Sequence, residues 1–189
     1  NAESGNANDL ISSFDTNGFT VNTNYNGTTN NDSTNKNNFT YVAWNWKAAA
    51  TTTTIAANTV GNTIASDVRA NTEAGFSIVT YTTQSSGTAT VGHGLSSPPD
   101  MVIVKTTQVA DSWRTYHSSL GAGFQIYLNL TNAAGSTANQ WNNTAPTSSV
   151  FTLGTDNAGS YPTVAYCFAS IPGMSDIGSY VGTGATGNS

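Results

Sequence analysis

The stretch Phe39-Thr-Tyr-Val-Ala-Trp-Asn-Trp-Lys47 limits the folds open to this chain more than any other. β-Branched and aromatic residues dominate it and it contains neither Gly nor Pro, the signature of a strand. Side chains alternate along a strand, so Val42, Trp44 and Trp46 share one face and Phe39, Tyr41 and Ala43 the other. Both faces are apolar, which predicts a central strand covered on both sides. The stretch has an echo in Tyr161-Pro-Thr-Val-Ala-Tyr-Cys-Phe-Ala169. Val42 matches Val164, Ala43 matches Ala165, Trp44 matches Tyr166 and Trp46 matches Phe168. Upstream of each copy lies a second echo, Gly18-Phe-Thr-Val21 against Val150-Phe-Thr-Leu153, so a two-strand unit in 18–48 recurs in 150–170. A third, Ile177-Gly-Ser-Tyr180, resembles Ile78-Val-Thr-Tyr81. One complete module spans about residues 75–170. Residues 1–48 read as the end of a preceding module and 175–189 as the first strand of a following one, a slice through a longer repeat protein.

Gly75–Tyr81, Thr88–Val91, Met101–Thr106, Trp113–His117, Phe124–Leu130 and Phe151–Gly154 also read as strands. Thr59–Arg69 reads as a short hairpin or edge strand. Turn signals fall between them at Asp15–Gly18, Asn26-Gly27, Gly61-Asn62, Ser85–Gly87, Gly121–Gly123 and Asp156–Ser160. Strands at this spacing predict an all-β fold, an antiparallel β-sandwich of jelly-roll or concanavalin-like type and rich in loops. Residues 1–189 are expected to form a single sandwich that takes in both ends.

Composition narrows the function. Only 8% of residues are charged, against ~25% in an ordinary globular protein. Polarity comes instead from Asn, Thr, Ser and Gly, which suit turns and strands better than helix interiors. Aromatic residues make up 10% of the chain, which argues against disorder. The net charge is −5 with five Lys and Arg in total, too few for a basic patch, so no nucleic acid is expected as partner. No apolar run approaches the ~18 residues of a membrane span, and no membrane insertion is expected. The first residues carry no basic-then-apolar signal segment. The lone Cys167 excludes an internal disulfide and reads as buried. These features describe an extracellular, β-rich protein.

Chemistry-bearing residues are sparse. His93 sits between two glycines, a pattern that suits a tight corner as well as a close approach to a ligand. His117 has no Cys or Glu at ligand spacing, so no metal is expected. Asp15-Thr-Asn-Gly18 and Asp156-Asn-Ala-Gly159 resemble fragments of calcium loops but lack the closing acid, and both work as Asx-turns. No carboxylate pair stands out for glycoside hydrolysis, no serine lies in Gly-x-Ser-x-Gly, and no cofactor is expected. The chain is read as non-enzymatic. Trp113, Tyr116, Trp141 and Asn142, with Tyr127 and Tyr161, are the candidate ligand-binding residues. Aromatic faces beside amides and hydroxyls suit sugar rings. Trp141 is open to two readings, core and ligand contact. Asn-x-Ser/Thr sequons at Asn26, Asn31, Asn38, Asn129 and Asn142 matter only in a eukaryotic secretory pathway.

Gly75-Phe-Ser-Ile-Val-Thr-Tyr81, Val91-Gly-His-Gly-Leu95 with Pro99-Asp-Met-Val-Ile-Val-Lys105, and Tyr116-His-Ser-Ser-Leu-Gly121 come first in a series of motifs. Trp141-Asn-Asn-Thr-Ala-Pro-Thr-Ser-Ser-Val-Phe-Thr-Leu-Gly154 and Val164-Ala-Tyr-Cys-Phe-Ala169 complete it. Together they resemble a repeat module of marine bacteriophage structural proteins, found in phages of cyanobacteria and other ocean bacteria, often with laminin-G or concanavalin-like domains. The match covers about residues 10–182. The resemblance implies a place on the virion surface, in a tail fibre or appendage, and brings no catalytic residues. It implies a homo-oligomer, a trimer foremost, in contact with other virion proteins, with a host-surface glycan or receptor as ligand. The alternatives are a capsid decoration or self-assembling surface-filament subunit, and a soluble carbohydrate-binding module.

Overall fold

A computed structural model describes residues 11–21 and 38–184, which fall into two compact units, residues 1–45 and 46–189. The Asn26-Gly27 turn signal lies outside the described residues.

The first unit holds a hairpin of β1 (Ile11–Asp15) and β2 (Gly18–Val21), with Asp15 opposite Gly18 and Phe14 opposite Phe19. Asp15 fixes the turn, since its carboxylate accepts hydrogen bonds from Ser13 Oγ at 2.9 Å and Thr20 Oγ1 at 2.8 Å. A turn forms where Asp15–Gly18 predicted one, held by these two side-chain bonds. Phe39–Lys47, expected as a central strand, forms none. Its backbone is irregular, Phe39 and Val42 are exposed, and Trp44 is 75% exposed. An alternating apolar pattern records the capacity to pair, and the slot filled by its echo holds only one strand.

The second unit is all-β. In chain order its strands are β3 (Thr53–Ile55), β4 (Ser66–Asn71), β5 (Phe76–Thr82), β6 (Ala89–Gly92), β7 (Met101–Thr106) and β8 (Arg114–His117). There follow β9 (Phe124–Tyr127), β10 (Gly135–Ser136), β11 (Val150–Leu153) and β12 (Pro162–Phe168). Eight of them form one antiparallel sheet in the order β10-β9-β8-β7-β12-β5-β4-β3, and β6 pairs with β11 in a separate ribbon. The ribbon packs on one face of the large sheet, which makes an antiparallel sandwich with unequal layers. Ala89, Val91, Phe151 and Leu153 of the ribbon join Val79, Val102, Ala165 and Cys167 of the sheet in one buried cluster.

The central strand is β12, inserted between β5 and β7. Ala165 lies opposite Val79 on one side and Val104 on the other, and Cys167 lies opposite Ser77 and Val102. These positions face the ribbon and are almost wholly buried. The strand expected over Gly75–Tyr81 is β5, and its side chains alternate: Val79 and Tyr81 point inward, and Phe76 and Ile78 belong to a second cluster on the outer face. There Trp46 stands edge-on to Phe168 at 5.4 Å and tilted against Phe76 at 6.1 Å, and Ala48 and Ile177 pack alongside.

The ends differ from expectation. The hairpin forms its own two-stranded sheet, and Ile177–Tyr180 is irregular, with Tyr180 exposed. Neither adds a strand to the sandwich. The 59–69 region becomes a turn followed by β4, which lies inside the sheet, and the short β3 takes the edge.

Two predictions follow from the packing. Gly154 has φ −84°, open to any residue, yet a Cβ there would stand 1.9 Å from the Asn139 carbonyl oxygen. Gly154→Ala should therefore cost about 1–3 kcal/mol or more in urea unfolding, and a variant as stable as wild type would contradict this packing. The Cys167 thiol is fully buried and its pKa is pushed up to about 12 by that burial. A maleimide at neutral pH should leave it unmodified in the folded protein and label it fully in urea.

Candidate functional site

The inner face of the sheet is apolar along most of its length and turns polar at one end. Strand alternation from Tyr116 puts Arg114 on that face, opposite Val104. A charge in such a place needs partners, and Arg114 has several. Its guanidinium forms an ion pair with Asp111 at 3.2 Å, and its Nη1 donates to Gln140 Oε1 at 3.1 Å and to the Asp156 carbonyl at 2.6 Å. Gln140 is wholly buried; its Nε2 donates to Asn157 Oδ1 at 2.8 Å, and Asn157 Nδ2 returns a bond of 2.6 Å to the Gln140 carbonyl. The network fastens the loop between β11 and β12, including its single 3-10 turn Thr155–Asn157, to the end of the sheet. Beside it opens a cavity of about 110 Å³. Thr83, Thr106, Thr163, Asp111, Asp156 and Tyr161 contribute to its lining.

The residues proposed from sequence do not converge. Tyr116 and Trp141 do meet, edge to face at 5.9 Å, but at 4% and 2% exposure they are core and offer no ring face to a sugar. That corrects the ligand-binding assignment of both: burying the two rings in the sandwich secures the 140–144 turn from inside. Trp113 lies on the other side of the sheet, half-buried and stacked on Tyr166 at 6.3 Å and 14°. Asn142 is exposed in the turn after Trp141 with φ 53°, a left-handed backbone that Asn tolerates. Tyr127 is half-buried and accepts a hydrogen bond from Gln125 Nε2. Of the aromatic candidates, only Tyr161 borders the cavity. Reading by residue type missed Arg114, Gln140 and Asn157. The available signal was Arg114's place two residues before Tyr116 in a strand, which puts a cation on a core-facing row.

A family model described as a domain of unknown function, DUF7483, matches residues 1–189. The chain belongs to the DUF7483 family. No curated protein and no solved structure gives a significant match. Among the described residues of this DUF7483 domain, no group of three or more His, Cys, Asp or Glu side chains could hold a metal ion.

The histidine between glycines in the DUF7483 chain is structural. His93 is fully buried; its Nδ1 accepts from the Leu95 backbone N–H at 3.1 Å, and its Nε2 lies 3.1 Å from the Thr147 carbonyl. Those partners select the neutral tautomer that carries its proton on Nε2. A Cβ at Gly94 would press on Val68 and Ala70, and one at Gly92 on Ile55, so the flanking glycines serve close packing. Burial lowers the His93 pKa, against the opposing pull of the Thr147 carbonyl.

A folded-state pKa below the unfolded value of 6.5 means that the unfolded chain takes up the proton first. Stability is then full above that value and falls as pH drops below it. Urea midpoints for wild type should decline between about pH 7 and about pH 5, and His93→Gln should flatten that decline. Equal slopes in the two proteins would show that His93 does not carry it.

Proposed function

We propose that this chain is a non-enzymatic structural module that assembles with copies of itself on the exterior of a bacteriophage particle, in a tail fibre or appendage. The motifs that resemble marine phage structural modules support the location. The observation that carries the assembly is the exposure of large apolar side chains in the first unit. Phe14 is 83% exposed and Val42 82%. A two-stranded hairpin is marginal in water by itself, and large apolar side chains left exposed supply area for an interface. Burying each such side chain contributes about 1.5–3 kcal/mol. The partner we propose is a second copy, because Phe39–Lys47 has an apolar strand pattern suited to pairing along a copy's open sheet edge, at β3 or β10. A chain with so little charge also has few lysines to block pairing at its sheet edges.

The capsid-decoration or surface-filament reading uses the same surfaces and is separated from the fibre reading by immunogold labelling of intact particles. Assembly itself is tested by light scattering across a concentration series. Wild type should form a closed oligomer, with a trimer expected. Phe14→Ser with Val42→Ser should weaken association at least about a hundredfold and leave the thermal unfolding of the sandwich unchanged. A wild-type chain that stays monomeric at every concentration would refute the proposal.

A further inference from the structure

We propose that the large sheet receives a second copy of the chain at its β10 end, where residues 39–45 of that copy lie as an added strand along the open side of β9. This rests on the assembly reading above and names the surface that completes it: of the two sheet edges, the one at β10 and not the one at β3.

The edge is ordered but only half covered. On one side β9 is bonded to β8, and the bonding runs on past the strand. The Leu128 N–H donates to the Trp113 carbonyl at 3.0 Å, and the Trp113 N–H donates to Asn129 Oδ1 at 3.0 Å. On the other side β10 is two residues long and covers only Phe124 and Gln125. Among the described residues no strand lies beside residues 126–129 on that side. A lane of backbone is thus fixed along one side and open along the other, which is the template that strand addition uses.

The side chains decide what fits there. Ile126 lies opposite Thr115, so Phe124, Ile126 and Leu128 extend the outer face of the sheet. Leu128 is 59% exposed, and Phe124 and Leu130 are exposed too. From Ser118 to Thr155 the sequence has no Asp, Glu, Lys, Arg or His, so this edge lacks the charges that normally discourage pairing. The opposite edge differs. Beside β3, Asp67 accepts from Thr54 Oγ1 at 2.6 Å and Arg69 Nε donates to Thr52 Oγ1 at 3.0 Å. An apolar strand added there would bring rings beside two charges and strip water from them.

Residues 39–45 match the β10 end. They carry no charge, and Val42 stands in solvent. Because both faces of this stretch are apolar, either register sets apolar groups over the outer row. Trp46 and Lys47 mark its limit: the Trp46 ring is seated on Phe76 and Phe168, and the Lys47 carbonyl accepts from Asn71 Nδ2 at 3.0 Å. A strand of one copy on the edge of another is a heterologous contact, which closes into a ring or runs on as a filament according to the rotation it imposes.

The test uses the full chain at a low and a high concentration and reads amide hydrogen exchange by mass spectrometry. Association should slow exchange at 39–45 and at 126–136 and leave 53–55 unchanged. Two single lysines then compare the edges by light scattering. Leu128→Lys should weaken association about ten- to a hundredfold, and Thr54→Lys should leave it as in wild type. Thermal unfolding of both should match wild type; if a variant fails to fold, exchange in the wild type still decides. A chain that associates with 126–136 unprotected overturns this proposal and leaves the assembly reading standing. So does loss of association through Thr54→Lys and not Leu128→Lys, and so does protection of 39–45 that is equal at both concentrations in a chain that associates. A chain that never associates removes both.

Discussion

The sandwich depends on β12 lying between β5 and β7. Every inward position of that strand meets a neighbour on both sides: Cys167 between Ser77 and Val102, Ala165 between Val79 and Val104, Thr163 between Tyr81 and Thr106. Apart from Tyr81, these residues are small or β-branched along the middle of the sheet, which leaves height for the large rings above. Phe151 and Trp141 occupy that space, and each pairs edge to face, Phe151 with Tyr81 and Trp141 with Tyr116. Small residues beneath large ones let two unequal layers pack closely along the middle of the sheet. A bulky residue at Ala165 would push against the ribbon and against two strands at once.

The same strand shows how far the sequence could be read. Alternating apolar residues located β5, β7, β8, β11 and β12, and the Asp15–Gly18 signal located the turn before β2, because local chemistry decides those elements. The pattern misled at Phe39–Lys47 and Ile177–Tyr180. Both look like strands that the fold does contain, β12 and β5, but a two-sided apolar pattern does not say which surface covers it. The aromatic candidates misled for a related reason. Trp141 and Tyr116 have the right chemistry for a sugar and the wrong address, since ring type is visible in sequence and burial across 25 positions is not. Arg114 was legible in principle, as a cation in step with a core-facing tyrosine, but its partner Gln140, and Asn157 that holds Gln140, come from loops that no periodicity locates.

Low charge raises the importance of each polar group that is buried. His93, Gln140 and Asn157 are all satisfied by short bonds to backbone or to one another. They tie the loops at the sandwich ends to the layers, a task that surface ion pairs do poorly. Arg114 and Asp111 form an ion pair that is only partly shielded, and it is stabilised by its neutral neighbours Gln140 and the Asp156 carbonyl. Polar residues here serve as fasteners between layers whose main cohesion is apolar.

The order of the strands also bears on how the chain is made. During synthesis β5 and β7 emerge long before β12, so for that interval two flanking edges border an empty central lane. Closing it joins segments about 60 to 90 residues apart, and pairing over such distances is slow. Any strand of similar sequence that arrives first can enter the lane, and Phe39–Lys47 of a neighbouring nascent chain is one. Entangled dimers formed by exchange of that lane are therefore the characteristic misfolding hazard of this architecture. Crowded translation, where many identical chains grow side by side, is where the hazard is greatest.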